Sequence, residues 1–248
     1  MLLAIDIGNS RVKWGWHDDG KGWVERHVAD HVSFLAQLPG SAPLGHKPGR
    51  VILCNVASPI LSDQVEHAVA AIWPRAHVTQ FRSAPNVAGI RNAYDHPATL
   101  GADRLAAAVG ARVQVPEGAL VVVSFGTATT IDTVSPDNVF LGGVIVPGLA
   151  LMLRSLAHNT ARLPHGATQP VIHDVPSSTQ DAIAEGVMRA QIGAVRDTYE
   201  RAVRRFGAAS LIVTGGAAQV VAWRLSMPVQ LVDNLVFEGL LRIDGMQS

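Results

Sequence analysis

Apolar residues open the chain as Leu2–Leu3–Ala4–Ile5, give way to Asp6–Ile7–Gly8–Asn9–Ser10, and resume in alternation through Val12, Trp14 and Trp16. An apolar run, a polar turn and then a period of two predict a β-hairpin with strands over Leu2–Ile7 and Arg11–His17. A third strand over Trp23–Val28 and a short helix over Val32–Leu38 follow. The Gly- and Pro-rich loop Pro39–Gly49 then leads to a strand over Val51–Asn55 and a helix over Pro59–Trp73. Gly101–Val115 is alanine-rich with Leu105, Val109 and Val113 at helical spacing, so Asp103 and Arg104 fall in a first helical turn. Pro116–Glu117–Gly118 breaks the pattern. It then restarts with strands over Ala119–Ser124, Thr129–Ser135 and Val139–Ile145 and a helix from Gly148 to His158. A long helix from Asp181 to Phe206 carries Ile183, Val187, Ala190, Ala194 and Thr198 along one face. Strand Leu211–Thr214, the Gly215–Gly216 turn and a helix close the chain.

The restart is a repeat. A second apolar strand ends at Ser124–Phe125–Gly126–Thr127 and turns into β-branched residues, and Gly126 follows Gly8 by 118 residues in a chain of 248. Such spacing predicts a duplicated α/β unit, with halves over residues 1–116 and 117–248 hinged near Pro116–Gly118 and their two glycine turns facing one polyphosphate across a cleft. The residue types suit that role. Gly8 lets the backbone turn sharply, while Asn9 and Ser10 add short polar groups and backbone donors. Asp6 ends its strand where a carboxylate suits Mg²⁺, and Lys13 offers a point charge for phosphate. An ordinary hairpin with a polar turn explains either segment taken singly.

Composition narrows the field. Twenty basic and twenty acidic residues leave no net charge, so no electrostatic footprint for nucleic acid or an acidic membrane exists. No apolar run approaches the length of a bilayer span, and the first residues lack a basic leader, which predicts a cytoplasmic protein without a secretory signal. The single cysteine, Cys54, forms no internal disulfide and reads as a buried small hydrophobe. Ten histidines form no zinc pattern. Gly186, Ala190 and Gly193 on the long helix allow close approach of a partner helix, which predicts a homodimer; the same surface also suits packing within one subunit.

Beyond these patterns, the chain resembles the type III pantothenate kinases, members of the acetate and sugar kinase, heat-shock ATPase and actin superfamily. The resemblance rests on Asp6–Lys13, Asn92–Ala93–Tyr94, Leu100–Gly101–Ala102–Asp103–Arg104, Gly126–Thr127 and Leu141–Gly148. Further along it includes Thr160–Ala161–Arg162–Leu163–Pro164, Thr179 and Thr214–Gly215–Gly216. It implies duplicated ribonuclease H-like domains of the actin-type ATPase kind, with a nucleotide cleft. It implies ATP-dependent phosphorylation of pantothenate to 4′-phosphopantothenate, the first step toward coenzyme A.

By the same resemblance, Asp6, Ile7, Gly8, Asn9, Ser10, Arg11, Val12, Lys13, Gly126, Thr127, Gly215 and Gly216 serve ATP, with Asp6 on Mg²⁺. Tyr94, Gly101, Ala102, Asp103, Arg104 and Thr179 line the pantothenate pocket. Asp103 is the base, since a carboxylate beside an alcohol accepts the developing proton; residue type alone, without the resemblance, favours a carboxylate that complements the helix dipole. Arg104 steers the substrate carboxylate, where a bare sequence reading would leave it solvated at a helix start. An isolated Tyr94 reads equally as a packed side chain with a hydrogen-bonded tip. Thr179 sits where Ser178 and Asp181 form a capping box. Relatives carry an aspartate at the position of Ser124 that binds K⁺ or NH₄⁺, so that activation is in doubt here, with Asp132 a nearby carboxylate. A non-catalytic nucleotide-binding regulator and a kinase of another small alcohol remain alternative readings.

Overall fold

The computed structural model describes residues 1–159 and 174–247. The chain begins with β1 (Leu2–Ile7), β2 (Val12–Asp18), β3 (Gly22–Ala29) and α1 (His31–Gln37). It continues through β4 (Arg50–Asn55), α2 (Pro59–Ile72), β5 (His77–Phe81), the short strands β6 (Asn86–Val87) and β7 (Ile90–Asn92), and α3 (Ala102–Gln114). Next come β8 (Ala119–Phe125), β9 (Ala128–Val134), β10 (Val139–Pro147), α4 (Leu149–Asn159), α5 (Thr179–Phe206), β11 (Ala209–Thr214), α6 (Ala218–Ala222) and β12 (Val229–Leu231). Helix α7 (Leu235–Gln247) is last. Contacts divide the chain into a first unit of Met1–Pro116, Asn138–Phe140 and the residues from Leu235, and a second of Glu117–Asp137 and Leu141–Asn234.

In the first unit the sheet order is β3-β2-β1-β4-β5, antiparallel across β1–β2 and β2–β3 and parallel across β1–β4 and β4–β5. Alternation on β2 sends Trp14 and Trp16 into the core, where both are fully buried. Trp14 packs edge-on against Phe34 of α1, and its indole N–H donates to Ser41 Oγ at 2.8 Å. That bond satisfies the polar edge of a buried ring. The small residues of α3 admit α7 at backbone distance: a Cβ on Gly239 would overlap the Ala106 carbonyl, and one on Gly110 the Leu235 carbonyl. The glycines therefore set how deeply the two helices nest, and with it where the N-terminus of α3 lies.

In the second unit the strands run in the order β12-β11-β8-β9-β10, antiparallel across β8–β9 as across β1–β2 and parallel across β8–β11 and β11–β12 as across β1–β4 and β4–β5. Its core gathers Val121, Val123, Phe125, Ile131, Met188, Val195 and Val213. Helix α5 starts two residues earlier than periodicity predicts because Ser178 caps it: Ser178 Oγ accepts the Asp181 N–H at 3.1 Å and donates to Asp181 Oδ2 at 2.7 Å. The run Thr160–Pro164 lies outside the described residues.

Candidate active site

Within the first unit, β1 and β2 are joined by the turn from Gly8 to Arg11. The Gly8 N–H donates to the Arg11 carbonyl at 3.0 Å, and the Val56 N–H holds the Ile7 carbonyl at 3.0 Å. Gly8 is not among the glycines with positive φ; what its missing Cβ relieves is a 3.3 Å approach to the Arg11 carbonyl. Close approach within the hairpin, and not a left-handed backbone, is the reason for glycine here.

Asp6 lies opposite Lys13 across β1–β2 and beside Cys54 across β1–β4. Directly opposed residues project to one face, so the ammonium and the carboxylate share a surface. Burial lifts the Asp6 carboxyl from 3.8 to about 7; Lys13 pulls it down and the charge of Asp103 pushes it up. The buried Cys54 thiol is held well above its usual range, by burial first and then by the charges of Asp6 and Asp103. The end of β1 and the first turn of α3 thus bring two carboxylates into electrostatic reach of one another.

Asp103 is placed by its own helix start. Gly101 is the N-cap of α3, and Asp103 Oδ1 accepts the Arg104 N–H at 2.8 Å. A Cβ on Gly101 would come within 2.7 Å of that oxygen. The Gly-Ala-Asp-Arg order follows: glycine makes room for a carboxylate folded back over the helix end. Burial raises the Asp103 pKa, against the lowering effect of the Arg104 N–H and guanidinium. A raised pKa makes the ionised carboxylate a better proton acceptor.

Arg104 is not solvated, contrary to the bare reading of a helix-start arginine: it is 8% exposed. Its Nη1 donates to the Tyr94 hydroxyl at 2.9 Å, and the guanidinium lies 5.8 Å from the Tyr94 ring centre and 5.7 Å from that of Phe140. Tyr94 is fixed in turn by Asn92, whose Oδ1 accepts the Tyr94 N–H at 3.1 Å and whose Nδ2 donates to the Pro97 carbonyl at 2.9 Å. The hydrogen-bonded tip expected of Tyr94 therefore belongs to the same cluster as Arg104. Sequence reading assigns no role to His31, whose Nε2 lies 2.8 Å from the Gly8 carbonyl; it follows Asp30, the helix cap directly after β3.

The second unit brings together its own candidates. Gly126 N–H donates to the Ala128 carbonyl at 3.1 Å, closing a turn shorter than the one at Gly8. Gly215 has φ +103°, and a Cβ there would come within 2.5 Å of the Phe125 carbonyl oxygen. No other residue type fits both constraints. The Gly215–Gly216 turn is therefore pressed against the strand end that carries Gly126 and Thr127. Ser124 pairs with Thr130 on β9 and Thr214 on β11, and Asp132, 2% exposed, follows two positions beyond Thr130 on the same face. Thr179 is the first residue of α5 and lines a cavity of about 500 Å³ with Met152, Leu156, Ala182, Ile183, Gly186 and Val187.

Among the described residues no group of three or more His, Cys, Asp or Glu is placed to hold a metal ion. A lone carboxylate such as Asp6 fits a cation that takes most of its ligands from phosphate and water. Nor is any helix among the described residues long and apolar enough to cross a membrane.

The family of type III pantothenate kinases matches residues 2–201. A type III pantothenate kinase of Herminiimonas arsenicoxydans is 42% identical over 256 aligned positions, covering 97% of this chain and 96% of its own. One of Dechloromonas aromatica is 42% identical, with 97% of each chain covered. Among solved structures, a Campylobacter jejuni protein described as a Baf family transcriptional activator aligns with a TM-score of 0.67 at 24% identity over 99% of this chain and 98% of its own. The ethanolamine utilization protein EutJ of Carboxydothermus hydrogenoformans aligns at 0.56 and 13% identity, over 97% and 88%. At those identities the structures speak to the fold alone, a mixed α/β fold with two sheets.

Proposed function

Because this chain belongs to the type III pantothenate kinase family, we propose that it moves the terminal phosphoryl group of ATP to the 4′ hydroxyl of pantothenate with Asp103 as the base. The reaction is ATP-dependent phosphorylation of pantothenate, the first step of coenzyme A biosynthesis, and ATP comes with a divalent metal. The observation that carries the assignment of residues is the pair of half-buried carboxylates Asp6 and Asp103, within electrostatic reach of one another, of which Asp6 faces an ammonium across the sheet. Phosphoryl transfer asks for positioning and charge neutralisation more than covalent help. Asp6 and Lys13 meet that demand on the phosphate side and Asp103 on the hydroxyl side.

Asp103 accepts the proton from the 4′ hydroxyl as the bond to phosphorus forms. Its oxygen anchored on the Arg104 N–H fixes the carboxylate without searching rotamers. Arg104, held between Tyr94 and Phe140, presents its guanidinium to the pantothenate carboxylate, and Tyr94, Gly101, Ala102 and Thr179 serve the same substrate. Residues Asp6 to Lys13, with Gly126, Thr127, Gly215 and Gly216, serve ATP. Mg²⁺ is the divalent metal we assign; when bound at Asp6 it neutralises charge developing on the phosphate oxygens.

Two finer points belong to the same reading. Ser124 offers a neutral oxygen where relatives carry a carboxylate, so K⁺ or NH₄⁺ activation is weak here, and Ser124→Asp strengthens it; turnover against KCl at fixed ionic strength tests this. The protein acts in the cytoplasm as a homodimer through α5, where a Cβ on Gly186 or Gly193 would meet nothing within 4 Å among the described residues; a monomeric mass in light scattering would reject the dimer. For the reaction itself, ADP release is measured with pantothenate and with a panel of polyols. Turnover confined to pantothenate is the expected result, and turnover with a polyol instead would replace the substrate.

A further inference from the structure

The Gly8 carbonyl is an acceptor only, so the ring nitrogen 2.8 Å from it must be the donor: His31 carries a hydrogen on Nε2. The fold brings the two together by register. Val12 pairs with Ala29 at the last rung of β2–β3, so the chain leaves β3 beside the hairpin turn and enters α1 two residues later. Asp30 fixes that entry, its Oδ1 accepting the N–H groups of Val32 at 3.0 Å and Ser33 at 2.9 Å and its Oδ2 accepting the Ser33 hydroxyl at 2.8 Å. His31 is therefore mounted on a capped helix start, and its ring holds the Gly8 carbonyl of the turn.

The consequence lies in the peptide plane. The Gly8–Asn9 bond is trans, as are all peptide bonds among the described residues, so its N–H points opposite to its C=O. A donor on the Gly8 carbonyl therefore fixes the direction of the Asn9 N–H, which no protein group accepts among the described residues. We propose that His31 is a positioning residue of the phosphate turn: by holding the Gly8 carbonyl it aims the Asn9 N–H outward for a nucleotide phosphate oxygen. This rests on the reading of Gly8–Ser10 as an ATP-phosphate turn.

The experiment compares His31→Gln, whose amide nitrogen reaches about as far as Nε2, with His31→Asn, whose amide falls short, in the full-length enzyme. His31→Asn raises the KM for ATP about three- to tenfold, the worth of one hydrogen bond, while the KM for pantothenate and the affinity for adenosine stay within a factor of two of wild type. His31→Gln restores the ATP KM. A purely structural histidine would lower the melting temperature without separating the two substrates or the two amides. Lys13→Ala keeps the two ideas apart. If it raises the ATP KM and His31→Asn does not, His31 has no positioning role although the turn binds phosphate. If neither does, the phosphate turn itself is refuted, and His31 with it.

Discussion

Asp6 stands in a conflict between stability and chemistry whose size follows from its surroundings. The unfolded carboxyl loses its proton near 3.8 and the native one at about 7. Between those values the native state holds a proton that the unfolded state has released, so stability falls as pH rises through the window and levels off above it. Such a displacement corresponds to about 4 kcal/mol against the native state at pH 8, an upper bound because partial exposure screens it. Asp6→Asn keeps the shape and removes the charge. The metal-free variant therefore gains on wild type as pH rises from 5 to 8, by up to roughly 5–10 °C in melting temperature at about 2–4 °C per kcal/mol for a chain of this size. The assay is thermal unfolding of both proteins in EDTA across that pH range, followed by repetition with Mg²⁺ and ATP, which stabilise wild type and leave Asp6→Asn little changed. Melting curves that stay parallel from pH 5 to pH 8 would refute the reasoning, since an ordinary carboxyl is already ionised at both ends.

Asp103→Asn retains nucleotide binding in calorimetry and loses turnover by about 10²-fold or more, because the amide keeps the fold of the helix start but accepts no proton; turnover within a few-fold of wild type would leave Asp103 a helix-start residue only. Gly101→Ala lowers kcat with little change in the KM for ATP, since the added methyl meets Asp103 Oδ1 and displaces the carboxylate. Arg224→Ala costs about 3 kcal/mol in urea unfolding, because Glu185, 3% exposed and held at about 2 by Arg224 and Arg189, is left with a single exposed partner. Arg201→Ala, which breaks an exposed pair with Asp197, leaves the urea midpoint close to that of wild type.

The hairpins and α3 were readable because their signals are local. Trp14 and Trp16 alternate with polar neighbours, and the alanine run from Ala106 carries a clear period. Asp103 and Arg104 were legible as a pair, but the burial of Arg104 was not, because Tyr94 and Phe140 reach it from other elements. Strands β6, β7 and β12 span two or three residues each, too few for a period to register. Helix α7 shows the same limit in another form: its partner is α3, and only the missing side chains of Gly110 and Gly239 reveal how close the two lie. His31 escaped notice because a histidine near a helix start carries no pattern; its meaning comes from the β2–β3 register.

That α7 belongs with the first unit has a consequence for how the chain matures. The unit carrying Asp6 and Asp103 begins at Met1, yet its closing helix runs from Leu235 to Gln247. On the ribosome, α3 must wait for the synthesis of the second unit before Ala106 meets Gly239, a delay of roughly 6–25 s at ordinary elongation rates. During that interval the alanine-lined face of α3 lacks its cover, while the second unit has its own core from Val121 to Val213 already translated. The order of maturation is thus the reverse of the order of synthesis, and a nascent-chain chaperone has its longest opportunity on the unit that carries Asp6 and Asp103.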